Sequence, residues 1–188
     1  MDIKRILELN IPDIHPTYRG VRGRTLSSRS QAYAWATIKE AGVKTIIDLR
    51  NDCVSLRMKH LCEQYGMAYF YYPVDNRADV IENMIEHFHE FCERIDRGDF
   101  YIACAMGLHR TDIALCTYWV FYGADHAVNP PTLRGYIRAT GHNTSKIMRV
   151  LNAFYEMSAA KHGKEPMCAD EFKRRKKIIN DQAKATDE

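Results

Sequence analysis

Two periods of apolar residues alternate along the first two thirds of this chain. Val43-Lys44-Thr45-Ile46-Ile47-Asp48-Leu49 is a β-branched run set off by Gly42, and it predicts a strand. Leu56 to Tyr65 follows as a helix stopped by Gly66. Met67 to Val74, rich in tyrosine and ended by Pro73 and Asp75, predicts a second strand. Val80, Ile81, Met84, Ile85, Phe88, Phe91, Cys92 and Ile95 then recur at helical spacing, closing at Gly98. Phe100 to Cys104 reads as a third, buried strand and Thr111 to Tyr122 as the helix after it. An earlier helix near Ser30 to Ala41, with Ser30 as N-cap, precedes the first strand. Beyond Tyr122 the pattern is helical throughout, over Pro131 to Ala139 and from Thr144 to Lys161.

Strands alternating with amphipathic helices predict an α/β fold: a single domain with a central, mainly parallel sheet flanked by helices and an all-helical C-terminal part. The length of 188 residues suits one domain with a full core. We assign residues 1–164 to that domain and 165–188 to a basic helical extension holding Lys173-Arg174-Arg175-Lys176-Lys177, whose charges read as a solvated helix face. Composition narrows the class of protein only a little. At 46% hydrophobic and 27% charged residues the chain reads as soluble and globular, and a net charge of +3 is too small to imply nucleic acid. No run approaches the length of a membrane span, and the N-terminus does not read as a signal peptide, so a cytoplasmic location is expected. The six cysteines show no C-x-x-C pair and no zinc spacing, and no metal or cofactor is expected. Cys92 and Cys116 fall on helical apolar faces, as small buried hydrophobes do.

Chemistry concentrates in Cys104-Ala105-Met106-Gly107-Leu108-His109-Arg110-Thr111. Average composition places glycine, arginine and a hydroxyl residue at those offsets after a cysteine less than about once in a thousand. The string lies between a buried strand and a helix start, where backbone N–H groups converge and the helix dipole favours negative charge. Helix N-termini and cationic neighbours lower a cysteine's pKa from about 8.5 to roughly 3.5–7.5, so a thiolate is expected there. Arg110 suits bidentate contact with a phosphate, and Gly107 suits a tight loop with positive φ. Parallel strands deliver their carboxyl ends to one edge, so the strand leading to Asp75 brings an acid to the same rim. This pattern predicts phosphoryl transfer through cysteine. Cys104 attacks phosphorus, and Arg110 with the amides of residues 105 to 110 holds the oxygens. Asp75 gives and then takes the proton. Thr111 donates its hydroxyl to the sulfur.

The string resembles the signature of the cysteine-dependent protein tyrosine and dual-specificity phosphatase superfamily. Tyr18-Arg19-Gly20 and Ala41 to Arg50 are similar to the opening of its atypical and bacterial-type members, and Tyr72-Pro73-Val74-Asp75 to the segment carrying the general acid. The resemblance covers about residues 17 to 155. It implies a metal-independent phosphatase in which Cys104 is the nucleophile, Ala105, Met106, Gly107, Leu108, His109 and Arg110 bind phosphate, Thr111 supplies the hydroxyl and Asp75 is the acid. Two positions depart from the family pattern. Ala103 stands where histidine usually precedes the cysteine, which implies a less activated thiol. Asp112 stands where glycine is common, and a carboxylate near the pocket would oppose a dianion. Members acting on inositol pyrophosphates carry lysines or arginines at variable loop positions, which here are Ala105, Met106, Leu108 and His109. His109 gives the loop that subgroup's G-x-H-R-T ending, but the missing lysines disfavour such a substrate and favour an apolar or aromatic body.

Other readings stay open. The substrate is a phosphorylated protein, or else a small phosphoester such as an inositol phosphate, lipid or nucleotide. A non-catalytic phospho-ligand binder would also fit Ala103 and Asp112, and a rhodanese-like sulfurtransferase needs only the cysteine loop. Asp75 also reads as a turn cap after Pro73, with Asp79 as the rival acid. Asp48 and Arg50 read as a structural ion pair. Tyr69, Tyr71 and Tyr72 divide between cleft wall and core. His142 and Asn143 match a loop that positions water in the superfamily, and His87 and His89 have the wrong spacing for one metal. The oligomeric state is not specified by the sequence.

Overall fold

The computed structural model describes residues 1–9, 11, 13–26, 32–134 and 142–185. Its elements run α1 (Ile3–Leu7), β1 (His15–Thr17), β2 (Gly20–Arg24), α2 (Ala32–Glu40), β3 (Thr45–Asp48), α3 (Leu56–Gln64), β4 (Ala68–Tyr71), α4 (Ala78–Glu86), α5 (Phe88–Arg97), β5 (Phe100–Cys104), α6 (His109–Phe121), a 3-10 turn (Gly123–His126), α7 (His142–His162) and α8 (Ala169–Ala185). They pack as two compact units: Met1–Pro73 with Glu93–Thr111, and Val74–Cys92 with Asp112–Glu188.

The first unit holds the whole sheet, in the order β1-β2-β5-β3-β4. β2, β5, β3 and β4 run parallel and β1 pairs antiparallel with β2, so the sheet is mainly parallel as expected. All five residues of β5 are buried, as befits a strand paired on both edges and covered on both faces. One face of the sheet packs a core built around Val21, Trp35, Ile38, Ile46, Met58 and Tyr101. Ser55 caps α3, its hydroxyl accepting the Met58 N–H.

β2 was not expected. Gly-Val-Arg-Gly-Arg has little β-propensity, yet its two glycines are what let it pair with β5. A Cβ on Gly20 would stand 2.4 Å from the Phe100 ring, and one on Gly23 would stand 2.3 Å from the Tyr101 hydroxyl. The aromatic rings of β5 lie over a strand without side chains at those points.

In the second unit α4 packs against α7 and α7 against α8. The long helix expected up to Gly98 is two, α4 and α5, broken at His87, whose ψ of 10° departs from helical geometry. The helix expected from Pro131 does not form over 131–134; the Arg134 N–H donates instead to both Asp112 carboxylate oxygens at 3.2 Å. The remainder of that segment, 135–139, and the Ser30 cap lie outside the described residues. A core of aromatics joins Phe88, Phe121, Phe154 and Phe172, with ring centroids 4.6 to 6.4 Å apart. The basic run is only partly a solvated face. Arg175 is 5% exposed; it donates to the Val120 carbonyl and pairs with Glu171 and Asp125. Buried inside this cluster, it anchors α8. Among the described residues no helix is long and apolar enough to cross a membrane.

Candidate active site

The sequence brings Cys104 to the carboxyl end of the central strand, where it is 3% exposed. β2 and β3 clasp that end from both sides. The Cys104 carbonyl accepts the Thr25 N–H at 3.0 Å, and the Ala103 carbonyl accepts the Leu49 N–H at 2.8 Å. Ala103 is thus a buried strand residue between two ladders. The chain then turns sharply: the Gly107 N–H donates back to the Cys104 carbonyl at 3.2 Å, and α6 starts at His109. That start is two residues earlier than expected, so Arg110 and Thr111 belong to the first turn of the helix. Helix geometry carries Thr111 back over the strand end, and its buried hydroxyl lies 3.4 Å from the Cys104 sulfur.

Gly107 is required twice over. Its φ of +71° lies in the left-handed region. A Cβ there would stand 2.4 Å from the Gly23 carbonyl carbon, 2.6 Å from the Gly23 oxygen and 2.8 Å from the Arg24 nitrogen. The loop therefore lies flat against the β2 backbone. Arg22 completes the contact: this buried guanidinium donates to the Gly107 carbonyl at 3.0 and 3.2 Å and to the Leu108 carbonyl at 2.9 Å. In a trans peptide the C=O and N–H are antiparallel. Carbonyls drawn toward Arg22 turn the Leu108 and His109 amides to the opposite side.

Ala105 and Met106 are exposed, His109 and Arg110 half-buried, and the Leu108 side chain buried, so Leu108 is a packing residue and not a surface group of the loop. Among the described residues the Arg110 guanidinium has no carboxylate partner. Tyr101, behind the cysteine on β5, donates to the Arg24 carbonyl at 2.8 Å. Burial, and then the neighbouring Cys104, push its phenol well above the ordinary tyrosine range.

On the adjacent strand, Asp48 and Arg50 form the expected ion pair. The buried Asp48 carboxylate accepts Arg50 Nε at 2.9 Å and Nη2 at 2.8 Å, together with the Tyr69 hydroxyl at 2.9 Å. The hydrogen bond to Asp48 raises Arg50 further above its ordinary value. Burial and then Asp48 raise Tyr69. These groups fix the segment after β3. Tyr72 is core, stacked on Phe70, whereas Tyr69 and Tyr71 are half-buried. Burial pushes the Cys62 thiol up to about 12, so it is no rival nucleophile.

Asp75 lies four residues beyond β4 in the second unit, half-buried, with Lys146 at 3.5 Å and Arg77 at 3.6 Å. Its Oδ1 also accepts the Asn76 N–H at 2.7 Å, the short turn contact expected of an aspartate after proline. Asp79 is 75% exposed in the first turn of α4. Asp112 is fully buried and committed to the Arg134 backbone, a structural contact that the sequence does not reveal. His142 and Asn143 form the first turn of α7, and their side chains lie outside the described residues. Arg22, Thr25 and Tyr101, which brace the loop, were not read from the sequence; glycines spaced three apart around a lone arginine are the one signal that points to them.

A mainly parallel sheet whose central strand ends in a tight loop, followed by a helix, is a fold found in solved structures described as phosphatases. Two crystal structures described as "Putative phosphatase (DUF442)" from Shewanella putrefaciens CN-32 share it, each at a TM-score of 0.50. One is 16% identical, covering 85% of this chain and 97% of that one; the other is 19% identical, covering 80% and 91%. The Yvh1 phosphatase domain from Chaetomium thermophilum is 16% identical over 95% of this chain and 99% of that one, at a TM-score of 0.42. No protein-family model and no curated protein sequence matches the chain.

Proposed function

We propose that this protein is a phosphomonoester hydrolase working through a cysteinyl-phosphate at Cys104. The observation that carries the reading is the 104–111 loop. A nearly buried thiol ends the central strand, a buried hydroxyl lies 3.4 Å from its sulfur, and two loop carbonyls are drawn back so that their amides face away. Such a cradle favours a tetrahedral dianion.

In the first step the Cys104 thiolate forms an S–P bond as the P–O bond to the leaving group breaks. Asp75 gives its proton to the departing oxygen. Loop amides and Arg110 hold the three non-bridging oxygens through the transition state. In the second step water attacks phosphorus, Asp75 takes the water's proton, and the sulfur leaves as thiolate with Thr111 donating to it. Phosphate and the alcohol are released, and the enzyme returns to its starting protonation.

The exposed loop side chains are Ala105 and Met106. They supply no cation beyond Arg110 for a highly charged polyphosphate, which favours a phosphoester with an apolar or aromatic body, such as phosphotyrosine in a protein. A small phosphoester is the second reading, and residues 165–188 serve as an extension that α8 docks through Arg175.

Turnover of para-nitrophenyl phosphate by reduced protein in the presence of a chelator tests the proposal. Cys104→Ser and Arg110→Lys are expected to abolish it. Wild-type protein that binds phosphopeptides with no turnover is a phospho-ligand binder instead. A panel of phosphopeptides, inositol phosphates and nucleotides separates the substrate classes.

A further inference from the structure

Arg22 lies outside the 104–111 string, on a strand that contributes no atom of that string, yet it makes three hydrogen bonds to it. Nε and Nη2 reach the Gly107 carbonyl, and Nη2 also reaches the Leu108 carbonyl. The side chain is 1% exposed, among the largest fully buried in the molecule. An arginine carries a fixed charge that is costly to bury, and tying up loop carbonyls alone would not require it. What it does require is geometric. A planar fork that grips two consecutive carbonyls fixes the planes of two consecutive peptides, which a lysine's single point of contact cannot do.

Two further contacts from β2 and the residue after it meet the same loop: Gly23 and Arg24 set their backbone against Gly107, and the Thr25 N–H holds the Cys104 carbonyl. Behind them Tyr101 ties down the Arg24 carbonyl at 2.8 Å. β2 is therefore a rigid back-plate to the loop, and Arg22 is the part of it that sets amide direction.

Resting on the functional reading above, we infer that Arg22 is a positioning residue for catalysis. By holding the Gly107 and Leu108 carbonyls away from the substrate it aims the Leu108 and His109 amides at the phosphoryl oxygens, and its buried charge adds to the positive field. Arg22 touches neither the substrate nor the sulfur. Its effect falls on the transition state, where the oxygens carry the most charge.

The test uses the full chain with orthovanadate as a transition-state mimic and para-nitrophenyl phosphate as substrate. In wild-type protein labelled with nitrogen-15, vanadate is expected to shift the Leu108 and His109 amide signals. Arg22→Met is expected to lose about 10- to 100-fold in vanadate affinity and in kcat, a partial form of the roughly 100- to 1,000-fold loss seen when an oxyanion donor is removed. KM is expected to change little, and Arg22→Lys to fall between wild type and Arg22→Met. A merely structural role would lower the melting temperature and the folded fraction without separating kcat from KM. Folded Arg22→Met that binds vanadate as tightly as wild type overturns the inference alone. So do Leu108 and His109 amides that stay fixed in wild-type protein while vanadate binds, a result that needs no variant to fold. Wild-type protein that binds no vanadate overturns the functional reading, and this inference with it.

Discussion

Replacing Gly107 with alanine adds one methyl group at the point where the loop is tightest. Two costs follow. Holding an L side chain at a φ of +71° costs about 1–2 kcal/mol. The new Cβ would also meet Gly23 carbon and oxygen and Arg24 nitrogen at 2.4, 2.6 and 2.8 Å, where unstrained carbon contacts are about 3.5–4.0 Å. Those atoms are backbone in a paired strand and cannot rotate away, so overpacking adds about 1–3 kcal/mol. The loop has an easier course. Ala105 and Met106 are exposed, so it can retreat from β2 by about 1 Å, enough to restore ordinary contact distances. That retreat stretches the 2.9 to 3.2 Å bonds to Arg22 past hydrogen-bond range and frees the amides to turn. The expected variant is folded, with a melting temperature lowered by about 2 to 8 °C, the shift that about 1–2 kcal/mol gives in a chain of this length. Its kcat for para-nitrophenyl phosphate falls by about 100- to 1,000-fold, as when an oxyanion donor is lost. Steady-state kinetics beside a thermal melt followed by circular dichroism measure both. Wild-type kcat in Gly107→Ala would refute the reasoning, because the loop would then tolerate displacement without chemical consequence.

Asp75→Asn is expected to slow aryl phosphates with poor leaving groups far more than those with good ones, measured as the slope of log kcat against leaving-group pKa; equal losses would remove Asp75 from the acid role. Thr111→Val keeps the shape of the buried side chain and removes the hydroxyl 3.4 Å from the sulfur. Rapid-mixing kinetics should then show a burst of nitrophenol followed by a slower steady rate, because departure of the thiolate has lost its donor. The α8 anchor has a pH signature. Arg174, then Arg175, lower the Glu171 carboxyl from an ordinary 4.5 to about 2 in the folded chain. Its contribution is therefore complete above pH 4.5 and lost as pH falls toward 2. The protection factors of α8 amides, which allow for the slower intrinsic hydrogen exchange in acid, should fall across that interval, and Glu171→Gln should flatten the change.

The parts of the fold legible in the sequence are those that bury a continuous apolar pattern. β5 has the expected bounds, and β3, α3 and α7 fall within a few residues of theirs, because Phe100 to Cys104 or Ile46 and Ile47 can only be core. Where the deciding interaction is tertiary, the pattern is silent. β2 forms because Gly20 and Gly23 pass beneath two rings of β5, which local propensity cannot register. Asp112 looks like a charge beside the pocket, and only the fold reveals that it caps the Arg134 backbone. Arg175 looks like one cation in a solvated run until Val120 and Asp125 are seen around it. The site divides in the same way. Cys104, Gly107, Arg110 and Thr111 are contiguous and announce themselves by spacing. Arg22, 82 residues from Cys104 in number, is marked only by Gly20 and Gly23 around it, and nothing local identifies the loop as its partner.

The central claim is that the Cys104 sulfur bonds covalently to phosphorus during turnover. Acid-quenching the protein within milliseconds of mixing with para-nitrophenyl phosphate, followed by mass spectrometry of its peptides, tests this most directly, with Thr111→Val used to lengthen the lifetime of the intermediate. The account predicts one phosphoryl group on the peptide holding Cys104 and none in Cys104→Ser. Turnover with that peptide unmodified, or with the phosphoryl group on another residue, would contradict it.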